Sequence, residues 1–182
     1  MRIIRDPAFI AQSDRGAAAA IGNFDGVHLG HQAVIDLTKS VANGARLGIL
    51  TFEPHPRDHF APDAAPFRLM NAAAKANRLE KLGVERLYEV PFNAALAELT
   101  PREFAQTVIK DRLGLTHVVV GQDFCFGKDR AGNAQGLKDY GTDMGFGVTI
   151  APMLATSAGN VSSTAIRKAL TNGTPRIAAD ML

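Results

Sequence analysis

Apolar and polar positions alternate along the chain between short continuous runs and helical periods, the arrangement of an α/β protein. Ala17-Ala18-Ala19-Ala20-Ile21 reads as a short buried strand, although four alanines alone would suggest helix. It leads into a glycine-bearing turn, Gly22-Asn23-Phe24-Asp25-Gly26. Val34, Leu37, Thr38 and Val41 then recur at i, i+3, i+4 and i+7, predicting one face of a helix that opens at Leu29 and stops at Asn43-Gly44. Arg46 to Phe52 predicts a second strand. Strand, helix and strand in this order form a βαβ unit and call for a parallel sheet.

Four prolines, Pro54, Pro56, Pro62 and Pro66, interrupt the pattern between Glu53 and Leu69, where no regular helix or central strand is expected. A loop of that length in a compact domain reads as a lid or binding loop. Phe60 and Phe67 would give it an apolar cover, Arg57 and Arg68 cations. Asn71 to Leu82 predicts a helix ended by Gly83, and Val84 to Val90 a strand. Thr100-Pro101-Arg102-Glu103 has the N-cap, N1 proline and N3 glutamate of a helix start, with the helix reaching about Leu113. His117 to Val120 predicts a fourth strand, Gln122 to Gln135 a glycine-rich loop, Leu137 to Met144 a short helix or turn, and Gly147 to Ala151 a fifth strand. Val161 to Leu170 predicts a helix stopped by Asn172-Gly173. Thr174-Pro175 repeats the cap pattern before an apolar face of Ile177, Ala178, Met181 and Leu182. That apolar end suggests a longer parent protein; a last helix docked on the core is the other reading.

Composition narrows the class. The 182 residues suit one domain, with 46% hydrophobic and 21% charged residues, a globular balance. Lys plus Arg number 20 and Asp plus Glu 18, an excess too small for a general nucleic-acid binder. One cysteine excludes an internal disulfide and any Cys-rich zinc module. No apolar run reaches the ~18 residues of a membrane span, and Met1-Arg2-Ile3-Ile4-Arg5-Asp6-Pro7 lacks a signal-peptide core. A cytoplasmic location without membrane or nucleic-acid partners is expected.

Four segments could carry chemistry. In Gly22 to His31, glycines and two histidines, His28 and His31, stand between a strand end and a helix N-terminus, where free N–H groups suit phosphate. Gly30 between them keeps the backbone accessible. An isolated pair at this spacing would more often be solvent-exposed or structural. Zinc at the same spacing would need further ligands from His55, His59, His117, Cys125 or carboxylates. Neither a P-loop nor a dinucleotide fingerprint is present. In Val161 to Arg167, Ser162, Ser163 and Thr164 with Arg167 one turn on could form an anion clamp, or simply a capped helix with a surface arginine. Prolines on both sides hold His55 in Thr51-Phe52-Glu53-Pro54-His55-Pro56 in a rigid loop. Val120 to Asn133 mixes Phe124 and Phe126, which could stack on a planar ring or belong to the core, with Lys128 and Arg130. Cys125 reads as a small buried hydrophobe.

Taken together and in order, these segments resemble the FMN adenylyltransferase module of bacterial FAD synthetases, which are usually fused to a riboflavin kinase domain. Gly22 to His31 is similar to that family's nucleotidyltransferase signature, Thr51 to Pro56 to its Pro-His-Pro segment, Val120 to Gly127 to its Val-Gly-x-Asp-Phe-x-Phe-Gly segment, and Ser162 to Arg167 to its Ser-Ser-Thr-x-x-Arg. Cys125 departs from the usual polar residue and Asn133 from the usual Asp. The resemblance implies a Rossmann-like nucleotidyltransferase fold, a parallel sheet of about five strands with helices on both faces, and a single adenylyltransferase domain over 1–182 without the kinase domain. It implies AMP transfer from ATP to FMN, giving FAD and pyrophosphate. His28, His31 and Arg167 would be catalytic. Gly22, Asn23, Phe24, Asp25, Gly30, Ser162, Ser163 and Thr164 would hold ATP. Pro54, His55, Pro56, Asp123, Phe124, Phe126 and Asn133 would hold FMN. Mg²⁺ would ride on the substrate phosphates, with no protein metal ligands. Transfer to another phosphorylated acceptor, and flavin or nucleotide binding without turnover, are the competing readings.

Overall fold

The computed structural model describes residues 1–5, 10–156 and 159–182; Asp6 and Pro7 of the N-terminal segment read above lie outside them. In chain order the elements are β1 (Arg2–Ile4), β2 (Ala18–Ile21), α1 (Leu29–Val41), β3 (Leu47–Phe52), α2 (Pro56–Phe60), α3 (Ala72–Lys81), β4 (Arg86–Val90) and α4 (Ala94–Ala97). The short α5 (Pro101–Glu103) runs into a π-helical stretch, Phe104–Arg112. There follow β5 (His117–Gly121), β6 (Cys125–Phe126), β7 (Gly132–Asn133), α6 (Ala134–Met144), β8 (Gly147–Ala151), β9 (Ala155–Thr156), β10 (Gly159–Asn160), α7 (Ser163–Thr171) and α8 (Pro175–Ala179).

Six strands form one sheet in the order β1-β4-β3-β2-β5-β8, every pair parallel. The five expected strands are all present. The sixth, β1, is a three-residue edge strand paired with β4, too short to leave a periodic signal. The chain builds outward from β2 in one direction through β3 and in the other through β5, so a crevice opens at the carboxyl ends of β2 and β5. Ligands of open α/β sheets bind at such a switch point.

Strand alternation divides the core into two layers. Ala19, Ile21, Leu50, Phe52, Tyr88 and Val90 face the π-helical stretch and α6. Ala20, Leu47, Ile49 and Leu87 face α1 and α3 through Ile35, Ala76 and Leu79. Small residues in the middle of the sheet make room for a large one. A methyl group on Gly48 would lie 3.2 Å from Ala17, Ala19 and the Tyr88 ring. Tyr88 is fully buried and donates its hydroxyl to the Asp14 carbonyl, and burial pushes its pKa up to about 12. The alanine run is a strand because only short side chains fit here, a tertiary demand that overrides helix propensity.

Local signals account for the helix starts, with some corrections. Thr100 and Glu103 form the reciprocal capping box that the sequence predicts. The buried face of α1 centres on Ile35 and Thr38, with Val34, Leu37 and Val41 at its margins. The proline segment is not wholly irregular. Pro56 takes the first position of α2 and His55 caps it, a place where proline's missing N–H costs nothing. The glycine-rich loop contains the β6–β7 hairpin, and α6 begins at Ala134 because Asn133 caps it. Thr174 does not cap α8; its hydroxyl donates to the Ala169 carbonyl instead. The last helix docks, with Ala178 and Met181 buried against Val161, Ile166 and Ala169.

Gly48→Val should overpack the Ala17–Ala19–Tyr88 contact and lower stability by about 1–3 kcal/mol. Urea unfolding measures this; an unchanged midpoint would mean the Tyr88 ring shifts freely.

Candidate active site

The turn from β2 to α1 is tightly wound. Phe24 and Val27 hold positive φ angles of 51° and 42°, yet both side chains are buried. Such a conformation persists only where the surroundings impose it. The turn delivers His28 to the N-cap of α1, where its Nδ1 accepts the His31 backbone N–H at 3.2 Å. That bond fixes the neutral tautomer of His28 with its proton on Nε2. The His31 ring stacks on His28 with centroids 3.6 Å apart and planes 17° from parallel, and Phe24 closes the other side at 4.9 Å. The buried His31 Nδ1 has no hydrogen-bond partner among the described residues. A methyl group on Gly30 would lie 3.1 Å from His28 Nδ1 and 3.3 Å from the Val161 carbonyl oxygen, so any side chain here would press on the His28 ring. Burial, with the Asp25 charge opposing and Arg167 assisting, lowers the His28 pKa to about 4. Burial, the neighbouring His28 and the Lys75 charge push His31 well below its usual range. Both rings are therefore neutral at pH 7, and the pair presents N–H groups rather than imidazolium charge.

Asp25 binds three segments together. Its buried carboxylate accepts the backbone N–H groups of Leu69 at 2.9 Å and Met70 at 3.2 Å and pairs with the Arg167 guanidinium. Its carbonyl accepts the Ser163 hydroxyl at 2.7 Å. Ser163 and Arg167 thus do face the same way, but toward Asp25. Ser162 is spent as the N-cap of α7, accepting from the Ala165 N–H. Thr164 is exposed at that helix start. The expected clamp is assembled around a protein carboxylate, which holds Arg167 at the mouth of the site.

The proline segment folds against this cluster. Glu53 holds Arg68 with two bonds of 2.7 Å. Burial would raise the Glu53 pKa, but the Arg68 bond and the Lys75 and Arg68 charges outweigh it and lower the value. Phe67 lies between two guanidinium groups, Arg57 at 4.5 Å and Arg167 at 5.0 Å from its centroid, with the His55 ring edge-on at 4.8 Å. Its carbonyl accepts the Arg167 Nε–H at 2.8 Å. His55 is bound to its own helix, accepting the Arg57 N–H at Nδ1, and burial lowers its pKa. Pro54 is exposed, following a cis peptide bond, and Pro56 is half-buried.

Lys75 was not identified from the sequence. It sits on α3 only 3% exposed, and its Nζ donates to the Asn23 carbonyl, Thr51 Oγ1 and Glu53 Oε2. Burial lowers its pKa, with Glu53 opposing. Its position at i, i+4 and i+7 with Leu79 and Leu82 put a charge on the apolar face, which was the available signal.

On the β5 side, Phe126 is buried in the core and Phe124 half-buried beside it, stacked at 5.3 Å. Of the two readings for Phe126, the core one describes its place. Asp123 and Asn133 are exposed, and the Asn133 amide oxygen caps α6. Aromatic contacts link this loop to the proline segment. From Phe124 and Phe126 they pass to Phe104 at 5.6 Å, Phe52 at 6.3 Å, Phe92 at 5.8 Å and Phe60 at 5.7 Å. Phe60, at the end of this row, is 70% exposed. The further ligands that zinc would require are not gathered at His28 and His31: among the described residues, no three or more His, Cys, Asp or Glu side chains are grouped to hold a metal ion.

A parallel sheet with a glycine-bearing turn at its switch point defines a Rossmann-like α/β architecture. Pantoate-beta-alanine ligase from Francisella tularensis has this fold in common, with a TM-score of 0.55 at 12% identity over 93% of this chain and 80% of that one. A Streptococcus pneumoniae structure described as a macrolide-efflux protein superposes with a TM-score of 0.87 at 29% identity, over all of this chain and 61% of that one. Among the described residues of the present chain, no helix is long and apolar enough to cross a membrane. The chain belongs to the FAD synthetase family, whose pattern matches residues 10–165. It is 39% identical over 172 residues to the bifunctional riboflavin kinase/FMN adenylyltransferase of Pseudomonas fluorescens, covering 93% of this chain and 55% of that protein. The protein of the same name from Escherichia coli K12 is 33% identical over 185 residues, 100% of this chain and 59% of that one. The chain thus spans a little over half the length of these relatives.

Neutral burial of His28 has a signed pH consequence. Its folded pKa of about 4 lies below its unfolded value of 6.5, so between these pH values the unfolded chain binds more protons. The stabilisation is fully present above pH 6.5 and is lost as pH falls toward 4. NMR titration of the His28 ring should show no midpoint between pH 5 and 8, and His28→Asn should flatten the fall in melting temperature from pH 7 to 5. A His28 midpoint near 6.5 would contradict neutral burial.

Proposed function

We propose that this chain transfers the adenylyl group of ATP to FMN. A phosphate oxygen of FMN attacks the α-phosphorus of ATP, the bond from that phosphorus to the bridging oxygen of the β-phosphate breaks, and FAD and pyrophosphate leave. The observation that carries this reading is the stacked neutral pair His28–His31 at the N-terminus of α1, in a chain of the FAD synthetase family. FMN brings an ionised phosphate as nucleophile, so the reaction asks the protein for position and charge stabilisation rather than a general base. The N–H groups of the pair and of the first turn of α1 supply donors to phosphate oxygens as charge develops.

Gly22, Asn23, Phe24, Asp25 and Gly30 shape the nucleotide turn in this reading. Arg167 reaches the β- and γ-phosphates by sharing or exchanging its bond to Asp25, with Thr164 beside it and Ser162 and Ser163 holding the helix start in place. The accessible ends of the phenylalanine row, exposed Phe60 and half-buried Phe124, favour an acceptor with a planar ring, against a purely aliphatic phosphorylated one. Pro54, His55, Pro56, Asp123, Phe124 and Asn133 are the residues around that acceptor, with Phe126 backing Phe124 from the core. Mg²⁺ would be held mainly by the substrate phosphates rather than by protein side chains and would offset their charge. The relatives carry riboflavin kinase in their names; for this domain over 1–182 we assign adenylyl transfer alone, in a cytoplasmic setting.

Incubation with ATP, Mg²⁺ and FMN, followed by chromatography of the flavins, should show FAD; its absence would contradict the proposal. His31→Ala should lower turnover by about 10²–10³ with a smaller change in ATP binding. Arg167→Ala should weaken ATP more than AMP in calorimetric titration, and equal losses would remove it from the β/γ-phosphate site.

A further inference from the structure

Buried ammonium groups are costly and persist only when their donors are satisfied. Lys75 has three donors, and they meet three acceptors from three parts of the chain. Asn23 belongs to the turn that precedes α1, Thr51 to the end of β3, and Glu53 to the start of the proline segment. Thr51 passes its own proton to the same Asn23 carbonyl at 3.2 Å. Glu53 in turn grips Arg68, next to the Phe67 that packs on Arg167. The two outer contacts of the ammonium, to Asn23 and Glu53, are both 3.4 Å. Charge-assisted bonds reach about 2.7–2.9 Å when fully formed. Both contacts therefore have room to shorten, one toward the turn and one toward the segment.

We propose that Lys75 is a positioning residue that couples the two substrate sites, so that nucleotide held by the Gly22–Gly26 turn orders the 53–70 segment for the flavin acceptor, and the reverse. The inference rests on the functional reading above. Coupling between two ligands is reciprocal and typically amounts to about 5–150-fold in affinity. It needs a physical element that both sites bias, and an ammonium shared by the turn and the segment is such an element.

The test is the FMN dissociation constant of this protein, read by quenching of flavin fluorescence, with and without Mg²⁺ and a non-hydrolysable ATP analogue. Wild-type protein should bind FMN about tenfold more tightly with the analogue. In Lys75→Met, which fills the same space without a donor, that ratio should fall to within about twofold of one, and Lys75→Arg should restore part of it. Glu53→Gln breaks the same link from the other end and should also lose the ratio, so the test survives if Lys75→Met does not fold. A structural role alone would lower both affinities and leave the ratio intact. A retained tenfold ratio in Lys75→Met or Glu53→Gln, or a wild-type ratio of one, overturns the coupling. Failure of the wild-type protein to bind FMN overturns the functional reading itself, and the coupling with it.

Discussion

The site depends on one buried carboxylate. Asp25 lies in the turn after the central strand and is 4% exposed. An ionised group so placed is tolerated only with full hydrogen bonding and a counter-charge. Backbone N–H groups from Leu69 and Met70 and the Arg167 guanidinium provide both. Two segments distant in sequence are thereby fixed around the turn: the end of the proline segment and α7. Gly26 shares in this arrangement. Its φ is +88°, and a methyl group there would lie 2.8 Å from Leu69 Cδ1. The close approach that Asp25 demands is possible only with glycine beside it.

Around this anchor the electrostatics are divided. Cations gather toward the crevice as Arg167, Arg68, Arg57 and Lys75, each tied to an acidic partner or an aromatic face. The histidines, by contrast, are held neutral by burial and by each other. The site therefore combines directional neutral donors with cations that are paired or stacked, the combination our reading assigns to polyphosphate binding. Arg167 is occupied by Asp25 and Phe67 in the free protein. Its position is thereby tied to that of the proline segment, which Lys75 contacts through Glu53.

Much of this was legible where chemistry is local. The βαβ unit, the two histidines at a helix start and the capping box at Thr100 all rest on neighbours within a few residues, and the structure has them as read. What was hidden depends on distant partners. Nothing near Ser163 and Arg167 in sequence reveals that Asp25 occupies them, because the two segments meet only through the fold. Lys75 shares a helix face with Leu79 and Leu82, but its partners Thr51 and Glu53 are brought beneath it only by the fold. The proline segment was read as breaking regular structure, yet Pro56 at a first helical position promotes α2. The edge strand β1 is stabilised by pairing with β4 rather than by its own three residues.

The central claim is that Asp25 holds the turn, the proline segment and α7 as one unit. Amide hydrogen exchange in wild type and Asp25→Asn tests it at the bonds themselves. The account predicts that the variant speeds exchange at Leu69 and Met70 by about tenfold or more, consistent with losing one to two buried hydrogen bonds, while amides of β5 keep their protection. Unchanged exchange at Leu69 and Met70 would contradict it, and would mean that the segment is held by Arg68 and Phe67 without the aspartate.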